Sequence, residues 1–132
     1  MQTQIKCLQI NLQHSRVATA NRMKIVEEDS TDILCIQDPY TIQDKTAGIP
    51  KRFKIFTSGK GRNRAAIVVT NNHIDTLLIT QLSDVDAVVV EVILGNLKII
   101  LAKMYFDIGQ QIEVDLAKLR QLYNTLKEQV FS

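Results

Sequence analysis

Hydrophobic positions along the chain form short runs with two different periods. Ile5 and Cys7, then Leu8, Ile10 and Leu12 after a shift of one, make Ile5 to Leu12 a β-capable stretch. A helix is expected from about Ala18 to Asp29, with Ala20, Met23, Ile25 and Val26 as its apolar face and Glu27 and Glu28 on a solvated one. The run DILCIQ, from Asp32 to Gln37, is apolar almost throughout and is ended by Pro39. It has the pattern of a strand buried on both faces beside a parallel neighbour. A polar loop from Thr41 to Pro50 follows. Beyond it the spacing predicts short strands over Phe53–Thr57, Ala65–Thr70, Thr76–Thr80, Ala87–Leu94 and Leu97–Tyr105, with turns at Ser58-Gly59, Asn71-Asn72 and Gly95-Asn96. The last turn joins Leu94 to Leu97 through two residues, a hairpin signal. Ile112, Leu116, Leu119, Tyr123, Leu126 and Val130 recur in steps of four and three, predicting a closing amphipathic helix packed on a sheet.

The fold class is therefore α/β: strand-helix-strand, an antiparallel meander and a closing helix. One demand is left over. The runs AAIVVT, AVVVEVI and LKIILA are apolar on both faces, so the sheet needs cover on both sides, and the expected helices supply only one. The length of 132 residues suits one domain, or part of one. Hydrophobic residues at 45% and charged residues at 23% exclude a disordered tail, and 5 Gly, 2 Pro and no Trp argue against collagen-like or linker sequences. Cys7 and Cys35 sit inside apolar runs and read as reduced, buried thiols, with no His at zinc-ligand spacing. The N-terminus lacks a signal-peptide pattern and no apolar run approaches a membrane span. The expectation is an intracellular protein, nuclear or cytoplasmic, neither secreted nor membrane-bound.

A net charge of +2 says little, but its distribution says more. Lys45, Lys51, Arg52, Lys54, Lys60, Arg62 and Arg64 fall in a segment, 45–64, that contains no Asp or Glu. That segment is either a solvated loop surface or a patch that neutralises a phosphate backbone. Two polar residues close otherwise apolar strands: Asn11 near the end of the first and Asp38 just past the second. If those strands are parallel neighbours, both lie at the carboxyl edge where open α/β sheets bind ligands, and their oxygens suit Mg²⁺. Both also read as simple turn caps. His14 either contacts substrate near that edge or is a plain loop histidine. Ser15 or Thr19 is placed to cap the first helix. Gly59-Lys60-Gly61 lacks P-loop spacing.

Four segments taken together, QINLQHSRVAT, DILCIQDPYT, SGKGRNRAAIVVTN and KIILAKMYFD, resemble the start of the endonuclease domain of non-LTR retrotransposons. This group belongs to the endonuclease/exonuclease/phosphatase superfamily, with apurinic/apyrimidinic endonucleases and pancreatic DNase. The resemblance runs from about residue 5 to 130, and four motifs in order are far more specific than any one. It implies a Mg²⁺-dependent hydrolase, a phosphodiesterase that nicks one strand of target DNA to prime reverse transcription, on a four-layered α/β/β/α sandwich. By the same resemblance, Asn11 helps position metal and phosphate, Asp38 binds the metal, and Tyr105 faces the scissile phosphate. The resemblance places the Arg-rich stretch with Arg62 and Arg64 near DNA, and Lys60 and, from its position in the loop, His14 are expected to join them there. The implied partners are DNA and the reverse transcriptase portion of a parent polyprotein.

Two departures from the family pattern shape the expectation. Asp38 stands where the family carries Glu, which withdraws the carboxylate by roughly 1.5 Å, one C–C bond. Weakened Mg²⁺ binding is expected, because that ion holds strictly to its octahedron. The GDxN- or SDxN-type and SDH-type segments of the family's second half do not occur here. These carry the groups that bind phosphate and activate water. The resemblance also assigns the second sheet to that half. Residues 1–132 are thus expected to be a partial domain, the N-terminal half of the sandwich, inactive alone. The alternative is a non-catalytic nucleic-acid-binding module that uses segment 45–64.

Overall fold

In the computed structural model, which describes residues 5–57, 61, 63–84, 86–95 and 97–104, two strands joined by a helix run side by side in parallel. They are β1 (Cys7–Asn11) and β2 (Ile33–Gln37), and the helix between them is α1 (Arg16–Asp29). Ser15 caps α1, its hydroxyl accepting from the Ala18 N–H at 3.0 Å, and Ser30 ends it in the left-handed conformation at φ 55°. The buried stripe of α1 is Thr19, Met23 and Val26, at positions i, i+4 and i+7. Ala20 and Ile25, expected on the apolar face, are exposed instead. Thr19 can replace them inside because its hydroxyl donates to the Ser15 carbonyl at 2.7 Å, which removes the cost of burying a polar group.

The expected loop from Thr41 to Pro50 contains a small hairpin, β3 (Thr41–Ile42) and β4 (Lys45–Thr46). Its two turn residues, Gln43 and Asp44, both have positive φ, 52° and 65°, the primed geometry that tight hairpins need. Neither is the Gly or Asn that usually announces such a turn. The next strands, β5 (Lys54–Phe56) and β6 (Ala65–Val69), are not part of a meander. β6 pairs antiparallel with β2, which gives a first sheet in the order β1-β2-β6-β5.

A second, antiparallel sheet follows, built from β7 (Asp75–Leu78), β8 (Ala87–Leu94) and β9 (Leu97–Met104) in that order. The β8–β9 turn matches the expected hairpin, Leu94 opposite Leu97 with Gly95 at φ 59°. The predicted closing helix, Ile112 to Val130, lies outside the described residues.

For the first sheet the demand for two covers is met. On one face of the first sheet, Leu34, Ile36, Ala66 and Val68 pack with Leu12 against Met23 and Val26 of α1. On the other, Ile33, Cys35, Ala65, Ile67 and Val69 pack against Val88, Val90 and Val92 of β8. The second sheet therefore comes from this chain's own residues 75–104 and not, as expected, from a second half. AAIVVT is apolar on both faces because β6 lies between α1 and the second sheet, whereas for AVVVEVI the described residues show one cover, the first sheet against Val88, Val90 and Val92. Among the described residues the architecture is mixed sheets with one α-helix, α/β-like. No helix among the described residues is long and apolar enough to cross a membrane.

The cysteines separate. Cys35 is buried between the sheets, whereas Cys7, expected inside, is exposed on the edge strand β1. Burial, reinforced by the neighbouring Cys7, pushes the Cys35 thiol up to about 11 from 9.0. The unfolded thiol loses its proton near pH 9 while the folded one holds it. The stability that Cys35 contributes is therefore present in full below pH 9 and lost as pH rises through about 11. Urea unfolding of the wild type and Cys35→Val at pH 8, 10 and 11 is expected to show the wild type falling faster. Parallel curves would mean that the thiol titrates alike in both states.

Candidate metal and phosphate site at a sheet edge

The parallel register puts Asn11 directly beside Gln37, and Gln37 pairs with Ala65 across the antiparallel boundary. The ends of β1 and β2 and the start of β6 thus share one edge. Backbone hydrogen bonds extend the ladder past the strands. The Leu12 N–H donates to the Gln37 carbonyl, the His14 N–H to the Asp38 carbonyl, and the Asp38 N–H to the Arg64 carbonyl, each at 2.9 Å. Asn11, His14, Asp38 and Arg64 are therefore brought to one place from three distant stretches of sequence.

Side chains tie the same edge together. The Asn11 Oδ1 accepts from the Gln13 N–H at 2.9 Å, which orients the amide and leaves that oxygen a second lone pair. The His14 Nδ1 lies 3.1 Å from the Pro39 carbonyl, an acceptor only, so Nδ1 carries the hydrogen. Its Nε2 then sits 3.5 Å from the Asp38 Oδ1. The Arg64 Nε approaches the Asp86 Oδ1 at 3.7 Å. Asp86 precedes β8 of the second sheet, so this ion pair bridges the sheets at the edge. The sequence reading missed Asp86. An Asp just before a strand reads as a turn residue, and nothing in its spacing couples it to Arg64.

Three of the six non-glycine residues with positive φ among the described residues are here: Gln13 at 49°, His14 at 58° and Asp38 at 51°. Such conformations cost on the order of 1–3 kcal/mol each and persist where surrounding structure imposes them. Asp38 shows why its identity suits its place. Asp tolerates the left-handed region better than Glu does, so the backbone that turns the chain off β2 favours the shorter carboxylate.

The remaining candidates divide. Lys60, Arg62 and Tyr105 lie outside the described residues. Met104, the last described residue of β9, lies opposite Ala87, next to Asp86, at this same edge. The acid-free segment 45–64 is less uniformly basic in space than along the chain. Arg52 pairs with Glu27 of α1 and lies 4.8 Å over the Phe53 ring, and Arg64 meets Asp86. Lys45, Lys51 and Lys54 are exposed.

No trio of His, Cys, Asp or Glu gathers as a metal cage among the described residues. The donors that are present, one amide oxygen and one carboxylate on adjoining strands, fit a hard ion that keeps most of its ligands as water and substrate phosphate. Mg²⁺ behaves in that way.

No family model and no curated protein matches the chain. Among solved structures, it is similar to one described as the endonuclease domain of TRAS1, a telomere-specific non-LTR retrotransposon. The TM-score is 0.80 and the identity 27%, and the match covers 93% of this chain and 54% of that one. The chain thus spans about half the length of the domain it matches. The resemblance in the four sequence motifs extends to the three-dimensional structure.

Proposed function

We propose, from the premise that this chain has the fold of the endonuclease domain of non-LTR retrotransposons, that it forms the metal- and phosphate-gripping part of a Mg²⁺-dependent DNA-nicking phosphodiesterase. The observation that carries this reading is the convergence of Asn11, Asp38 and Arg64 on one sheet edge of a fold shared with a DNA endonuclease. In this reading Asp38 and Asn11 offer oxygens to the ion, and Tyr105 approaches the scissile phosphate. Lys60, Arg62, Arg64 and His14 lie along the DNA. Bound Mg²⁺ supplies Lewis-acid polarisation of a phosphoryl oxygen. The Asn11 amide, held by Gln13, orients the phosphate, and the Arg64–Asp86 pair fixes the separation of the sheets beneath it.

The same reading completes a four-layered α/β/β/α sandwich, with the apolar stripe from Ile112 to Val130 covering the outer face of the second sheet. Residues 1–132 contain no counterpart of the family's Asp-His pair, so they hold no base to activate water and do not nick alone. The partners in this account are DNA and the reverse transcriptase portion of a parent polyprotein.

Supercoiled plasmid tests the proposal. The chain with Mg²⁺ is expected to retain duplex DNA at low salt without relaxing it. Neutralising Arg62 and Arg64 together should reduce the salt slope of binding by about two. Relaxation by the chain alone, lost on Asn11→Ala, would refute the division of labour. No retention at low salt would refute the nucleic-acid assignment. The second reading, a binding module on segment 45–64, is favoured by the exposure of Lys45, Lys51 and Lys54. It predicts binding that is indifferent to Mg²⁺ and to Asn11→Ala.

A further inference from the structure

A charged contact joins the two sheets at the edge that gathers Asn11, His14 and Asp38. The Arg64 Nε lies 3.7 Å from the Asp86 Oδ1. Both residues stand on pinned backbone. The Arg64 carbonyl accepts from the Asp38 N–H at 2.9 Å. The Asp86 N–H donates to the Asp84 Oδ1 at 2.8 Å, and the Asp84 N–H to the Ala87 carbonyl at 2.8 Å, a tight turn that leads into β8. The two side chains differ in depth, Asp86 being 14% exposed and Arg64 41%. The carboxylate is thus the inner member of the pair and the guanidinium the outer one.

Fixing the separation of the sheets does not by itself call for charge. Apolar side chains of similar volume do it as well or better, because a carboxylate loses its hydration when buried. The layer beside the pair is built in that way, from Ala65, Ile67, Val88 and Val90. The sign of Asp86 also opposes the proposed ligand, since a carboxylate repels a phosphate. Its effect on Arg64 is different. A guanidinium carries five N–H donors in a planar fork, and a contact through Nε does not exhaust them. The contact removes rotamer freedom from the arginine before a ligand arrives, which lowers the entropy that binding would otherwise cost.

We infer that Asp86 is a positioning residue, which aims the Arg64 guanidinium at a backbone phosphate of DNA lying along the sheet edge. It rests on the DNA reading proposed above and gives a residue of the second sheet a part in it. Asp86 acts through Arg64 and makes no phosphate contact of its own.

Charge alone and aiming predict opposite signs. If only charge matters, removing a carboxylate beside a phosphate site tightens DNA binding. If Asp86 aims Arg64, Asp86→Asn in the 132-residue chain should weaken retention of a short DNA duplex at low salt by about tenfold, the scale of one charged hydrogen bond. The salt slope should fall with it, toward the loss of about one expected for Arg64→Met. The double variant should bind no more weakly than Arg64→Met, because the two changes remove the same contact. A substitution that merely loosened the fold would add to Arg64→Met and leave the slope alone. One measurement needs no variant. In the wild type the Arg64 Nε–H resonance should exchange with water more slowly than that of the exposed Arg16, and should shift when duplex is added. Unchanged or tighter binding by Asp86→Asn, additive losses in the double variant, or an Arg64 Nε–H that exchanges as fast as that of Arg16 or ignores the duplex overturns the positioning role alone. A wild type that retains no DNA at low salt overturns the nucleic-acid reading and this role together.

Discussion

Leu34→Ala is expected to cost about 2–5 kcal/mol of folding stability. Leu34 is fully buried in β2, an internal strand with a partner on each side, between Leu8 of β1 and Val68 of β6. Its side chain packs in the layer between the first sheet and α1, with Met23, Val26 and Ile36. Neighbours on both strands and a helix above leave the site little freedom to collapse onto the missing methyls. The cost should therefore lie toward the upper part of the range. Ile25→Ala on α1 is the contrast. Ile25 is 39% exposed, outside the Thr19-Met23-Val26 stripe, and its truncation should stay within about 0.5–1 kcal/mol. Urea unfolding with an unchanged m-value measures both. Equal costs at the two positions would mean that the helix presents a different face to the sheet.

That contrast also marks where the sequence was legible and where it was not. The strands were readable because each is a short apolar run between turn residues, and β1, α1, β2, β6, β8 and β9 appear within a few residues of their expected ends. Which face of α1 is buried was not readable, because Thr19 is polar by type and apolar in effect once its hydroxyl is bonded to Ser15. The allocation of strands to sheets was equally hidden. A run buried on both faces demands two covers but does not say whether helix or sheet provides them, and here each provides one. The small hairpin at Thr41–Thr46 left no signal, since Gln43 and Asp44 adopt positive φ without glycine. At the site, Asn11 and Asp38 stood out as polar ends of apolar strands, and the parallel register joins them at one edge as expected. His14 against Asp38 and Arg64 against Asp86 are contacts between segments, which no local pattern encodes.

Asp38→Asn is expected to separate folding from ligand binding. Asn is as tolerant of φ 51° as Asp. The backbone links from the Asp38 N–H to Arg64 and from His14 to the Asp38 carbonyl do not depend on the side chain. Thermal unfolding in chelator should therefore change by no more than about 0.5 kcal/mol. Mg²⁺ affinity, measured by calorimetric titration, should fall by roughly tenfold or more, because affinity for a hard cation follows the charge of its oxygen ligands. Asp38→Glu should divide the other way. It keeps the charge and lengthens the arm by about 1.5 Å. But it forces a residue less suited to the left-handed region into that backbone, at a cost of about 1 kcal/mol. Mg²⁺ affinity equal to or above the wild type, in a slightly less stable chain, is the expected result. The pair of variants decides between two explanations of this position. If Asp38→Asn binds Mg²⁺ as the wild type does, the carboxylate is a turn residue and the ion has another seat. If Asp38→Glu loses affinity along with stability, the left-handed turn itself aims the ligand, and the shorter side chain is the one this edge requires.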